Sequence, residues 1–89
     1  MSERSVIVAS GVGLHARPAA LFTQAVAETG LAVTISNSSG KTVNAASILG
    51  VLTLGVDHGD TITIAAQGEG ADAALDKLVE LLETDLGER

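Results

Sequence analysis

The segment Gly13-Leu14-His15-Ala16-Arg17-Pro18-Ala19-Ala20 gathers the residue types of this chain that are best suited to chemistry. Ala19, Phe22 and Val26 begin an apolar stripe at helical spacing, so a helix opens at this point. His15 stands where Ser, Thr, Asp or Asn would ordinarily cap that helix. Arg17 follows in the first turn, and Pro18 lies where its missing N–H costs nothing. A helix N-terminus presents unpaired backbone N–H groups and the positive end of the helix dipole, so it attracts anions. A guanidinium adds a planar fork of donors matched to phosphate oxygens. The same positive end disfavours a protonated imidazole, and a neutral imidazole is a nucleophile. These parts describe a phosphorylatable histidine with a phosphate cradle, because phosphoryl transfer asks a protein mainly for positioning and charge stabilisation. The plain alternative makes His15 a surface loop residue and Arg17 a solvated charge.

The elements around this segment come in clear blocks. Residues 4–9 read as a strand with Val6 and Val8 on one face, followed by a loop marked by Gly11 and Gly13. The helix runs from Ala16 to Glu28 and stops at Gly30. Leu31 to Ser36 alternates, with Leu31, Val33 and Ile35 inward. Asn37-Ser38-Ser39-Gly40 is a turn, and Lys41 to Asn44 pairs back as a hairpin. Ser47 to Leu54 is a short helix capped by Ser47 and ended by Gly55. Thr61 to Ala65 is a strand with Ile62 and Ile64 inward, after a turn at 57–60. Ala71 to Glu83 is a helix with Ala71, Ala74, Leu75, Leu78 and Leu82 on one stripe. The order β-α-β-β-α-β-α predicts an α+β fold: an open-faced β-sandwich, its four-stranded antiparallel sheet covered on one face by three helices. Thr34, Thr61 and Thr63 then fall on the open face, which an antiparallel sheet can turn to water.

Composition narrows the function. The 89 residues are expected to form one domain over 1–89. Five Lys and Arg against 11 Asp and Glu give a net charge of −6, and the basic residues are scattered. Phe22 is the only aromatic residue. Nucleic-acid binding, which needs clustered cations and stacking surfaces, is therefore not expected. No cysteine is present for a disulfide or a thiolate metal site. No apolar run approaches the roughly 20 residues of a membrane span. A cytoplasmic protein without membrane insertion, metal or cofactor is expected. His15 and His58 are too few and too isolated to suggest zinc. His58 reads as a loop residue, and Asp72, Asp76 and Glu80 as a solvated helix face.

The segment 13–19 resembles the active-site signature of the histidine phosphocarrier (HPr) family of the bacterial phosphoenolpyruvate–sugar phosphotransferase system. Gly40-Lys41-Thr42-Val43-Asn44, followed by Ser47-Ile48-Leu49-Gly50-Val51-Leu52-Thr53-Leu54-Gly55-Val56, resembles the family's regulatory-serine segment. The resemblance covers essentially the whole chain. It implies that His15 accepts a phosphoryl group on Nδ1 from phosphorylated Enzyme I. It implies delivery to a histidine of a sugar-specific enzyme II A component. Arg17 would steady the phosphoryl group, with the backbone N–H groups of Ala16 and Arg17 at the helix end. The chain would be a carrier, the substrate of its partners rather than an enzyme. Ser47 matches the serine modified by a dedicated kinase/phosphorylase in many members, some of which also touch transcriptional regulators. Ala45 and Ala46 stand before it, where relatives often carry a lysine.

The short helix cannot bury all of Ile48, Leu49 and Leu52, with Leu49 expected to be the most exposed. With Ala16, Ala20, Leu21 and Gln24 these residues are expected to form a partner surface around His15 on a monomer. Relatives often place lysines on this surface, whereas here only Arg17 is charged. Three alternatives remain: a paralogue in a nitrogen-type signalling branch, a regulatory module acting through Ser47 and the apolar patch, and an anion-binding domain without transfer.

Overall fold

The computed structural model describes residues 2–9, 13, 14 and 16–83, Ala16 by its backbone alone. In chain order the elements are β1 (Ser2–Ile7), α1 (Ala16–Thr29), β2 (Val33–Ser36), β3 (Thr42–Asn44), α2 (Ile48–Thr53), β4 (Thr61–Ala66) and α3 (Ala71–Leu82). The strands form one antiparallel sheet in the order β1-β4-β2-β3. This is the α+β open-faced sandwich that the alternation and helical stripes predict.

The inward positions fall as the periodicity requires. Val6, Val8, Val33, Ile35, Ile62 and Ile64 are buried on the sheet. Ala19, Phe22 and Val26 of α1, with Ala71, Leu75, Leu78 and Leu82 of α3, are buried against them. Each large aliphatic or aromatic side chain so buried stabilises the fold by about 1.5–3 kcal/mol. Ala74 and Leu31 are only half-buried, at the margins of their stripes. The opposite sheet face is hydroxyl-rich. Ser5, Thr63, Ser36 and Thr42 stand in register across all four strands. Ser5 and Thr63 bond through their hydroxyls at 3.2 Å, and Ser36 and Thr42 at 2.7 Å.

Element ends differ from the predicted ones where pairing, not side-chain pattern, sets them. β1 starts at Ser2 because Ser2 and Glu3 pair with Ala66 and Ala65. It ends at Ile7, opposite Thr61, where β4 begins. Val8 continues the contact by bonding the 57–60 turn, donating to Asp60 O and accepting from Gly59 N, both at 3.0 Å. β2 starts at Val33, opposite the last residue of β4, so Leu31 and Ala32 precede the ladder. β3 begins at Thr42, the last partner of Ser36.

The acidic face of α3 is exposed to solvent, as expected, and it also makes a contact with the sheet. Asp72 and Asp76 are exposed, but both reach Arg4 on the edge strand β1, at 3.4 Å and 3.2 Å. Their four-residue spacing places both on the turn of α3 that lies over Arg4. A hydrogen bond from the Ser2 side chain holds the Asp72 carboxyl below its ordinary value; desolvation opposes this, and the Arg4 guanidinium adds to the lowering.

The chain entering α1 is fastened from below. Leu14 is fully buried, and its N–H donates to Val56 O at 2.9 Å. Gly13 has φ +69°, and a Cβ there would overlap Val56 O and lie 2.5 Å from Asp57 Cα. Gly30, with φ +71°, has nothing within 4 Å of such a Cβ.

Two outcomes are expected. Gly13→Ala should lose more than about 3 kcal/mol in urea unfolding, because strain and overlap add. Gly30→Ala should lose only about 1–2 kcal/mol, the cost of the left-handed backbone alone. Equal losses would show that close approach to Val56 does not constrain Gly13. Separately, a carboxyl lowered by folding stabilises above its unfolded pKa, and that contribution disappears as pH falls through the folded one. Asp72→Asn should therefore be slightly less stable than the parent at pH 7, with the gap closing below about pH 4. A gap that persists in acid would remove the carboxylate as its cause.

Candidate functional site

His15, the predicted acceptor, lies outside the described residues; its neighbours on both sides are described. Gly13 and Leu14 are pinned against Val56 and Asp57, and α1 begins at Ala16. The N–H groups of Ala16 and Arg17 fall in the first turn, where no intrahelical acceptor reaches them. No acidic residue occupies that turn. Its positive end is thus not neutralised from within the helix. Pro18 is buried while Arg17 is exposed, so the turn is anchored on one side and presents the guanidinium on the other. Among the described residues no carboxylate is paired with Arg17.

α2 packs beside α1. Ser47 is its N-cap: the backbone is extended, and Oγ accepts from Gly50 N at 3.1 Å. Ser47 is half-buried at the helix end that favours negative charge. Val51 alone of α2 is buried. Leu52 is half-buried, whereas Ile48 is 40% and Leu49 73% exposed. The expected division of this helix into inward and outward apolar residues holds. Two large apolar side chains on adjacent positions of this short helix are thus open to solvent.

Ala20, Gln24 and Ile48 line one shallow cleft between the two helices. Leu21 is half-buried, and the Ala16 side chain lies outside the described residues. Thr23, Ala27 and Ala46 share the same cleft, and the sequence reasoning missed them. Thr23 and Ala27 lie three and seven residues beyond Ala20, so helical spacing could have found them. Thr23 also turns its hydroxyl back to Ala20 O at 3.1 Å, which leaves its methyl to the cleft. Ala46 is placed by Asn44, whose Oδ1 accepts from its N–H at 2.9 Å.

His58 is exposed in the turn before β4. No group of three metal-ligating side chains occurs among the described residues. Among the same residues, no helix is long and apolar enough to cross a membrane.

Comparison with known proteins agrees with this geometry. Residues 2–84 match the family model described as PTS HPr component phosphorylation site. The phosphocarrier protein HPr of Streptomyces coelicolor is 49% identical over 99% of this chain and 95% of its own length. The HPr-like protein Crh of Bacillus subtilis is 40% identical over 97% of this chain and 100% of its own. The crystal structure of HPr-C-His from Thermoanaerobacter tengcongensis superposes with a TM-score of 0.91 at 37% identity, covering 100% of this chain and 99% of that one. With family match, sequence identity and fold all in agreement, the chain belongs to the HPr family of phosphocarrier proteins.

Proposed function

We propose that this chain carries phosphoryl groups on His15 in a bacterial phosphoenolpyruvate-dependent sugar phosphotransferase system, between Enzyme I and an enzyme II A component. The observation that carries the proposal is the junction of Leu14 and α1. The chain matches a family model described as a phosphorylation site over residues 2–84, and the start of α1 is the helix end whose first turn lacks acid and exposes an arginine, which supports His15 as the acceptor. In the first transfer the lone pair of His15 Nδ1 forms the new N–P bond as the donor's bond to phosphorus breaks. The donor atom keeps the released electron pair. The equatorial oxygens carry the charge, and Arg17 with the N–H groups of Ala16 and Arg17 stabilises them. The second transfer reverses these roles. The parts lie on one chain, so a cytoplasmic monomer suffices as the working unit.

The partner surface we assign to Ala16, Ala20, Leu21, Gln24, Ile48, Leu49 and Leu52. Its support is the shared cleft and the exposure of Ile48 and Leu49. α2 carries no charged residue, which leaves Arg17 as the cation of this face. Partner contact then rests on apolar burial more than on long-range attraction.

A second role is regulation at Ser47, supported by its cap position and by the similarity to the HPr-like protein Crh. A phosphoryl group there would gain the N-terminal N–H groups of α2 while placing about two negative charges beside Ile48 and Leu49. Partners that dock on the apolar patch would then be repelled or left incompletely desolvated.

Transfer from phosphorylated Enzyme I, followed in rapid-quench experiments, tests the proposal. His15→Ala should abolish transfer with unfolding unchanged, and transfer at wild-type rate would refute the assignment. Arg17→Ala should slow it about 100-fold without abolishing it; an unchanged rate would remove Arg17 from the mechanism. Raising salt from about 0.05 to about 0.5 M should change kcat/KM less than about threefold. Leu49→Ser should lower kcat/KM more than that salt change does. A steep salt dependence would contradict the apolar account of docking.

A further inference from the structure

The β2–β3 hairpin holds α2 at both ends. At the N-terminal end, Asn44 O accepts from Ser47 N at 3.1 Å, and Asn44 Oδ1 accepts from Ala46 N. At the C-terminal end, Asn37 Nδ2 donates to Leu54 O at 3.2 Å, and Lys41 Nζ donates to Thr53 O at 3.3 Å. Asn37 is itself held by its own turn, with Oδ1 accepting from Ser39 N at 3.1 Å and from Lys41 N at 3.0 Å. Its amide group thus joins the turn on one side to the helix end on the other.

α2 has only six residues. A helix this short does not persist on intrinsic propensity, so its order must come from contacts outside it. Its last carbonyls lack intrahelical donors, and Asn37 and Lys41 satisfy two of them. The ammonium of Lys41 also carries the favourable sign for a helix C-terminus. Beneath the helix, Gly50 lets the backbone approach β3: a Cβ there would lie 3.3 Å from Val43 Cβ. Above it stand Ile48 and Leu49. The outward patch is therefore as ordered as the hairpin makes it.

We infer that Asn37 and Lys41 are positioning residues that clamp the C-terminal end of α2 and so hold Ile48 and Leu49 in the arrangement a phosphoryl-transfer partner meets. The inference rests on the carrier function proposed above, and it concerns docking, not the chemistry at His15. Only the ordered arrangement binds, so apparent affinity falls in proportion to its population. Loss of the clamp then appears in KM and leaves kcat nearly untouched.

Asn37→Ser keeps an oxygen acceptor for the turn, shortens the side chain short of Leu54 O and changes no charge. Lys41→Met removes the donor and the charge, and Lys41→Arg retains both. The chain serves as the varied substrate of a bacterial Enzyme I with phosphoenolpyruvate and magnesium. Hydrogen exchange of the α2 amides is measured on the same proteins. Asn37→Ser and Lys41→Met should each raise KM about 3- to 10-fold with kcat within about twofold of the parent. The α2 amides should then exchange at close to the unprotected rate, and Lys41→Arg should lie near the parent in both measurements. Unchanged KM, a fall in kcat alone, or a Lys41→Arg protein as impaired as Lys41→Met would overturn the positioning role. Unaltered exchange in α2 would overturn the clamp without reference to any partner. A parent protein that Enzyme I does not phosphorylate would instead remove the carrier function, and the role in docking with it.

Discussion

The burial of Leu14 is the contact on which the rest of the arrangement depends. Its side chain is wholly inside the core, and its N–H is bonded to Val56 O. Gly13 can lie against Val56 and Asp57 only because it has no Cβ. The chain is thus fixed one residue before His15, and α1 begins one residue after it. A helix dipole and unpaired N–H groups act over the first turn only. An anion site built on them therefore works only if the start of the helix is determined to within a residue. Leu14 from one side, and Phe22 with Ala19 and Pro18 from the other, supply that determination.

The sheet separates two surfaces of different chemistry. On the open side, a row of Ser and Thr hydroxyls bonds across the strands, with Ile7 exposed beside it. On the helix side, the α1–α2 cleft is nearly uncharged, while the acids of α3 are drawn toward Arg4 at the far edge. The Arg4 pairs are exposed and add little to stability. Their structural consequence is to tie the edge strand β1 to the helix above it, so that β1 is held on both sides.

Most of this was legible in the residues because it rests on local rules. Helical stripes in α1 and α3, alternation in β2 and β4, the Ser47 cap and the glycine stops each depend on neighbours a few positions away. The division of α2 into inward Val51 and outward Leu49 followed from its being too short to bury every apolar side chain. What escaped depends on long-range approach. Arg4 and Asp72 are 68 residues apart. Asn37 meets Leu54 across 17 residues, and nothing in a turn rich in Ser and Gly announces a helix clamp. Thr23 and Ala27 were available from spacing, but their part in the cleft required knowing that Ile48 lies opposite.

The central claim is that this chain holds a phosphoryl group on a ring nitrogen. Intact mass is its most direct test, after incubation with phosphoenolpyruvate, magnesium and a bacterial Enzyme I, and again after brief mild acid. The account predicts a gain of one phosphoryl group that acid removes, because a phosphorus–nitrogen bond breaks once its nitrogen is protonated. A folded protein that gains no phosphoryl group, or one whose added group survives acid as a hydroxyl ester would, contradicts it.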